Sequence, residues 1–364
     1  MKGGNRTPAD KYDVVIVGSG PAGAASAKAL SGHGLNTLII DAAKLPRYKM
    51  CSGIVFPSAR KFIANHFGEM PEKIFCQPGV TKGMQVRISK DKPYEYAPFI
   101  PFGGEKDLPE HGCNTIRAEL DYWLSCQSDA QIVDECRFRS VSTRDEHGIT
   151  VVVDLNGGMT EVKTRFLVGA DGPMSSVRKS IAPGFDESIR QIPNYEEWYE
   201  GHIDLEPGYL YVDFDRSVTG FFATVFHKDG MIVVVTGARK GESVKDYFSR
   251  YVQFLKEKHG LTIDGTVRSS GCILHDMSGT NNYFLGTGNI LLVGEAGGFN
   301  RCSEGITPAL ITGWAAGESV LRSVDTGLQS FDFYRAEVAP EMEACNRASA
   351  TIQAIAGMNP FTRD

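Results

Sequence analysis

Asp13-Val-Val-Ile-Val17 runs directly into Gly18-Ser-Gly20-Pro-Ala-Gly23, and this stretch decides how the chain begins to fold. A continuous apolar run bounded by glycines reads as a strand buried on both faces. The Ala-rich segment that follows, to about Ser31, reads as a helix, and Asn36 to Ile40 reads as a second strand that closes on Asp41. Strand, glycine turn, helix and a strand ending in a carboxylate form the dinucleotide-binding βαβ pattern. Gly18 permits the sharp turn, Gly20 lets the backbone approach a pyrophosphate, and Gly23 allows the helix to pack closely on the strand. Around Ala22 the helix start offers unpaired N–H groups to phosphate. Asp41, 23 residues beyond Gly18, is placed to accept a hydrogen bond from an adenosine ribose.

The composition is that of a folded protein. The chain has 364 residues, 42% hydrophobic and 23% charged, which is enough to bury one or two substantial cores. Its 40 glycines, about 11% of the chain, exceed a usual share of roughly 7% and suggest tight turns or close backbone approach to a ligand. The formal charge is −6 with no Lys/Arg cluster, so the electrostatic footprint of a nucleic-acid binder is missing. The eight cysteines are scattered, with neither a C-x-x-C pair nor metal-ligand spacing, and read as intracellular thiols. No apolar run approaches the ~20 residues of a membrane span, and a cytoplasmic protein is expected.

The middle of the chain differs in kind. Gln85 to Pro101 and Tyr209 to Thr236 hold short Val/Phe/Tyr/Ile runs separated by Gly and charged turns, the pattern of an antiparallel sheet. The expected architecture is therefore α/β, a Rossmann-like dinucleotide domain with an inserted antiparallel β-sheet domain and a C-terminal helix. The first domain takes 11–75, 105–185 and 265–330; the inserted substrate domain takes 76–104 and 186–264; a helical tail takes 331–364.

Two later glycine-acid pairs each follow an apolar strand. They are Phe166-Leu-Val-Gly169-Ala-Asp171-Gly172 and Ile290-Leu-Leu-Val-Gly294-Glu295-Ala-Gly-Gly298. With the N-terminal turn, these motifs resemble the flavoproteins of the p-hydroxybenzoate hydroxylase type, and the resemblance implies FAD. Gly18, Gly20, Ala22 and Gly23 would cradle its pyrophosphate, Asp41 would hold the ribose, and Glu295, where the family usually has Asp, would meet the ribityl hydroxyls. The resemblance also places the Gly305 and Ile306 amides at the pyrimidine edge of the flavin, at a helix start whose dipole favours the anionic reduced ring. Arg117 matches a family arginine that reaches FAD from a helix, although a solvated helix arginine would look the same. Cys136 lies where a strand residue touches adenine through its backbone. Asp171 either bonds the pyrophosphate region or holds its turn, with Arg178 as the expected ion-pair partner.

Leu45-Pro-Arg47-Tyr-Lys49-Met-Cys51-Ser-Gly53 resembles the P-R-x-K-x-C-G-G motif of the geranylgeranyl reductase family, with Ser52 in place of a glycine. Gly305-Ile306 through Gly313-Trp-Ala315-Ala316 resembles that family's helix after the flavin motif, and the likeness runs from Tyr12 to about Val320. It implies reduction of an isoprenoid C=C bond with electrons from NAD(P)H or a protein donor such as ferredoxin, and leaves peripheral membrane contact open. Cys51, Ser52 and Gly53 would lie beside the flavin. Where the family has Gly-Tyr-x-Trp-x-Phe-Pro, this chain has Gly220-Phe-Phe-Ala223-Thr-Val-Phe226, so the hydrophobic substrate is expected to differ in shape. A reductase needs a proton donor near the ring. The candidates are Cys51 in the motif and His227 on the sheet flanking the cavity, each with a plainer structural alternative. An aromatic hydroxylase and a non-catalytic flavin-binding redox module are the rival readings.

Overall fold

The computed structural model describes residues 8–89, 91–145, 148–302 and 304–355. The strand Lys11–Val17 lies at the centre of a parallel sheet, between Thr37–Ile40 on one side and the end of Gly158–Gly169 on the other. The parallel order continues outward to Gln131–Val133 and Ile290–Leu292. The strand is apolar throughout because both its faces are covered. Val14 and Ile16 join a core with Leu30, Leu291 and Val320, whereas Val15 and Val17 join another with Val151, Val153 and Leu292. The first core is roofed by helices and the second by an antiparallel meander, Cys136–Asp145 and Gly148–Leu155, that folds back on Gly158–Gly169.

The helix Pro21–Leu30 is Ala-rich for a reason visible in its neighbour, Ile306–Thr326. A Cβ on Gly313 would stand 2.1 Å from the Ala22 carbonyl oxygen, and one on Gly317 would stand 2.6 Å from the Ala29 Cβ. The helices touch backbone to backbone, and the Ser26 hydroxyl donates to the Gly313 carbonyl at 2.9 Å.

The inserted unit is a seven-stranded sheet in the order Thr262–Asp276, Arg190–His202, Met231–Gly237, Ala223–Lys228, Tyr209–Asp213, Gly83–Arg87, Glu95–Ala97. It is antiparallel with one exception. Tyr209–Asp213 pairs parallel with Gly83–Arg87, because the two insertions enter the sheet from separate parts of the chain. One face is covered by the helix Val244–His259, capped at its start by the Ser243 hydroxyl and ended by Gly260 in left-handed conformation. The other face turns toward the dinucleotide unit. Two expected boundaries move. The strand Thr262–Asp276 carries the sheet past residue 265, and Phe75–Thr81 pairs with Gly112–Thr115 in a small separate sheet instead of joining the insertion. Both strands are broken by glycine, proline or polar residues, which hides their pairing from a sequence pattern. The tail folds as two helices, Ser330–Glu337 and Ala339–Ile355; the rest of the expected helical tail, 356–364, lies outside the described residues.

Candidate functional site

The three glycine turns open on one cavity of about 600 Å³ between the two sheets, within the 300–1,000 Å³ range common for ligand pockets. Gly18, Gly20, Ala22, Asp41, Cys51, Ser52, Arg117, Cys136, Asp171, Glu295, Gly305 and Ile306 all line it. Residues spread over nearly 300 positions of sequence are thus brought to one wall by the strand order.

The glycines of the first turn divide the work. Gly18 has φ +106°, and a Cβ there would stand 2.4 Å from the Ala170 carbonyl oxygen; at Gly23 it would stand 1.9 Å from the Gly18 carbonyl oxygen. These two are demanded by the protein's own backbone, and Gly23 does not reach the cavity. Gly20 differs. Its Cβ would meet nothing closer than the Arg47 guanidinium, 3.7 Å away, so the space beside it is left open toward the cavity. No side chain caps the helix start at Gly20, and its amides and dipole suit an anionic group. The Gly305 position is similarly open, with the Asn300 amide nitrogen 3.7 Å away. There the Glu304 carboxylate already accepts from the Thr307 amide at 2.8 Å.

Asp41 sits at the end of its strand and accepts from the Ser19 amide (3.1 Å), the Ser19 hydroxyl (2.6 Å), the Ala43 amide (3.0 Å) and Arg47 Nε (3.0 Å). Burial alone would raise its carboxyl; the Arg47 charge and these hydrogen bonds hold it below the usual carboxylate value instead. One lone-pair site on Oδ1 stays available for a ribose hydroxyl. Arg117 forms a two-pronged pair with Asp121 at 2.9 Å on both arms, and Arg47 reaches the same Asp121 at 3.5 Å. Burial opposes the Arg117 charge, but Asp121 overcomes it and holds the arginine firmly protonated, so a surface role for Arg117 is excluded by its 10% side-chain exposure. Cys136 gives its amide to the Asp41 carbonyl at 2.9 Å, which fixes its backbone, while burial pushes its thiol up to about 11.

Asp171 accepts from the Ser176 and Val177 amides through Oδ2, and its buried Oδ1 has no partner. Burial raises its carboxyl. Its expected partner is elsewhere: Arg178, fully buried, pairs with Asp186 at 2.6 Å and donates to the Ala296 and Pro173 carbonyls. Arg178 therefore clamps the central motif to the late one. Glu295 accepts from the Asn300 amide at 3.1 Å and lines the cavity.

The substrate-side candidates separate. Cys51 lines the cavity, its sulfur accepting from the Gly53 amide at 3.4 Å, and Ser52 lines it as well. Gly53 does not line it; it is the pivot of the loop, at φ +68°, where a Cβ would stand 2.3 Å from the Thr115 carbonyl oxygen. His227 does not line it either. On the strand Ala223–Lys228 the residues Thr224 and Phe226 face the cavity, whereas Ala223 and Val225 pack against the helix side with Phe248 and Tyr251. His227 follows the latter by alternation, half-buried on the far face, so it cannot serve as proton donor in the cavity.

Two residues that sequence reasoning passed over stand out instead. Lys228, 2% exposed, donates to the Ser52 carbonyl at 2.5 Å and the Thr115 carbonyl at 2.8 Å, tying the Cys51–Gly53 loop to the inserted sheet. Burial lowers its ammonium below the usual lysine value. Glu196 lines the cavity from the strand Arg190–His202. Neither carries a signal in the sequence: Glu196 stands beside Glu197 in a Tyr/Trp-containing run, as a solvated glutamate would, and Lys228 reads as the start of a turn.

Residues 11–55 match the family model described as FAD binding domain. Protein CbrA of Escherichia coli K12 is 27% identical over 328 residues, covering 86% of this chain and 84% of that protein. A geranylgeranyl bacteriochlorophyll reductase-like protein from Thermoplasma acidophilum superposes with TM-score 0.80 at 16% identity, over 96% of this chain and 89% of its own. Aklavinone-11 hydroxylase, solved with FAD and aklavinone, superposes with TM-score 0.71 at 17% identity, over 98% of this chain and 70% of its own. Residues 11–55 thus resemble an FAD-binding domain, and the whole chain shares the fold of these two solved proteins.

Proposed function

We propose that the chain is an FAD-dependent oxidoreductase that reduces a C=C bond of a hydrophobic, isoprenoid-type substrate. The observation that carries this reading is the shared cavity: its one wall is built of glycine turns and buried carboxylates, the other of Leu210, Phe222, Phe226 and Val235 from the inserted sheet. Bound FAD supplies hydride-transfer chemistry to that space. Gly18, Gly20 and Ala22 would cradle its pyrophosphate, Asp41 would take the adenosine ribose, Asp171 would lie at the pyrophosphate region, and Glu295 would meet the ribityl chain. Gly305 and Ile306 would flank the ring. Arg117 is held by Asp121 and keeps positive charge beside Cys51, which remains the proton donor candidate on the cavity wall. The apolar wall excludes water from the reacting carbons.

NAD(P)H or a protein donor such as ferredoxin supplies the electrons in this reading. Among the described residues no helix is long and apolar enough to cross a membrane, so contact with a lipid substrate would be made from the membrane surface.

The hydrogen-bonded pair of Tyr48 and Glu196 on the cavity wall favours a second reading, hydroxylation of an aromatic compound. Anaerobic stopped-flow mixing of the reduced protein separates them. Reoxidation by an alkene such as geranylgeranyl diphosphate, without oxygen, supports the reductase; oxygen-dependent hydroperoxide absorbance supports the hydroxylase. Purified protein that is colourless and takes up no FAD removes both.

A further inference from the structure

Glu196 is a buried carboxylate, 1% exposed, on the wall of the cavity that belongs to the inserted sheet. Its two oxygens are in opposite situations. Oε1 accepts from the Tyr48 hydroxyl at 2.5 Å, Trp198 Nε1 at 2.8 Å and the Ser270 hydroxyl at 3.3 Å. Oε2 is buried with no hydrogen-bond partner. Of the other residues on this wall, Phe222, Phe226 and Val235 carry no polar side-chain atom, Asn194, Thr224 and Cys272 make no hydrogen bond to Oε2, and the buried Lys228 ammonium interacts with the Glu196 charge without bonding it.

Anchoring Tyr48 and Trp198 explains Oε1 alone; a glutamine would serve that purpose as well. A carboxylate oxygen shielded from solvent with no hydrogen bond carries a desolvation cost, which the Lys228 charge offsets only through space. The terminal torsion of a glutamate is soft, so the group can lean toward a ligand without leaving its three donors. We propose that Glu196 is the cavity's recognition group for substrate, accepting a hydrogen bond on Oε2 from a hydroxyl or protonated amine carried by an otherwise apolar molecule. This rests on the cavity being the substrate site of the proposed oxidoreductase, and it adds that the substrate carries a donor, not a bare hydrocarbon end.

The three donors make one substitution diagnostic. In Glu196→Gln they hold the amide oxygen at the Oε1 position, because an NH2 group there would face three N–H or O–H donors. The amide nitrogen then takes the Oε2 position, and an acceptor becomes a donor with almost no change in shape.

The test is calorimetric binding to the purified protein with its FAD content measured alongside, using geraniol, geranylamine and geranyl methyl ether as probes. In the wild type, geraniol or geranylamine should bind about tenfold or more tightly than the ether, as expected for a hydrogen bond to a charged group. Which of the two donors is preferred tells hydroxyl from amine. In Glu196→Gln the preference should fall below about twofold or reverse, with FAD content unchanged. Equal affinity for the three probes in the wild type, absence of binding by all of them, or a preference that survives in Glu196→Gln would overturn the proposal. The wild-type comparison decides even if the variant misfolds. Loss of FAD from the wild type would instead count against the oxidoreductase reading, whatever the probes do.

Discussion

The cavity has two walls built on opposite plans. On the dinucleotide side it is shaped by missing side chains: Gly18 and Gly23 sit where any Cβ would strike backbone, and Gly20 leaves space for a ligand. On the inserted-sheet side it is shaped by large side chains: Phe222 just before the strand Ala223–Lys228, Phe226 on it and Glu196 on Arg190–His202. A wall made of backbone has little freedom to vary, whereas a wall made of side chains can be re-lined strand by strand. The likeness to both a reductase-like protein and a hydroxylase over nearly the whole chain is a likeness of fold, and one fold can carry different chemistries.

This contrast is open to direct attack. The largest effect is expected at Gly23→Val, because its Cβ would stand 1.9 Å from the Gly18 carbonyl oxygen and cannot be relieved by a side-chain movement. Folded, soluble protein should be lost, as seen by expression and circular dichroism. Gly20→Val should do the opposite: the fold persists, since no protein atom lies within 3.7 Å of that Cβ, but FAD absorbance should vanish. A Gly20→Val protein that stays yellow would show that the turn is not the phosphate cradle.

Lys228→Met tests the joint between the walls. It leaves the Ser52 and Thr115 carbonyls without their donor, at a cost of about 1–3 kcal/mol read by denaturant unfolding, together with weaker FAD retention as the Cys51 loop loosens. Unchanged stability would mean that the two carbonyls find other partners.

Acid unfolding sharpens the picture on the dinucleotide side. The Asp41 carboxyl is held below its usual value in the folded state, so the unfolded chain binds more protons in that window and stability rises with pH there. Its contribution is complete above about pH 4, the ordinary aspartate value, and is lost as pH falls through the lower folded value. Asp41→Asn should flatten that part of the stability curve at acid pH and leave the neutral region with a constant offset; an unaltered acid limb would show that Arg47 and Ser19 do not hold the group as described.

The smallest effect is expected at His227→Gln. The side chain lies on the helix side of its strand, so FAD content should be unchanged and turnover should stay within about twofold of wild type, the scale of substitutions away from a site. A large loss of turnover with intact folding would place His227 in the chemistry after all.

How much of this was legible in advance differs by wall. The turn glycines announce themselves because their constraints are local: Gly18 at φ +106° and Gly23, pressed against the Gly18 carbonyl, must be glycine wherever the rest of the chain goes, whereas Asp41, Asp171 and Glu295 are marked by following an apolar strand beside such a turn. His227 was misplaced because Ala223-Thr-Val-Phe-His-Lys228 is apolar on both faces, and a period of two cannot say which face meets the cavity. Arg178 was given to Asp171, seven positions away, when the short helix between them turns it toward Asp186. Lys228 and Glu196 went unread because a buried charge is marked only by what surrounds it.

The amino-acid order alone determined the dinucleotide-type βαβ unit and the existence of an inserted sheet, since turns, caps and periodicities are set by neighbours in the chain. The cavity, the face each sheet residue presents and the Lys228 and Glu196 contacts were decided by tertiary packing. They depend on segments more than a hundred residues apart meeting at van der Waals distance, and no local pattern encodes which distant carbonyl or hydroxyl a buried charge will find.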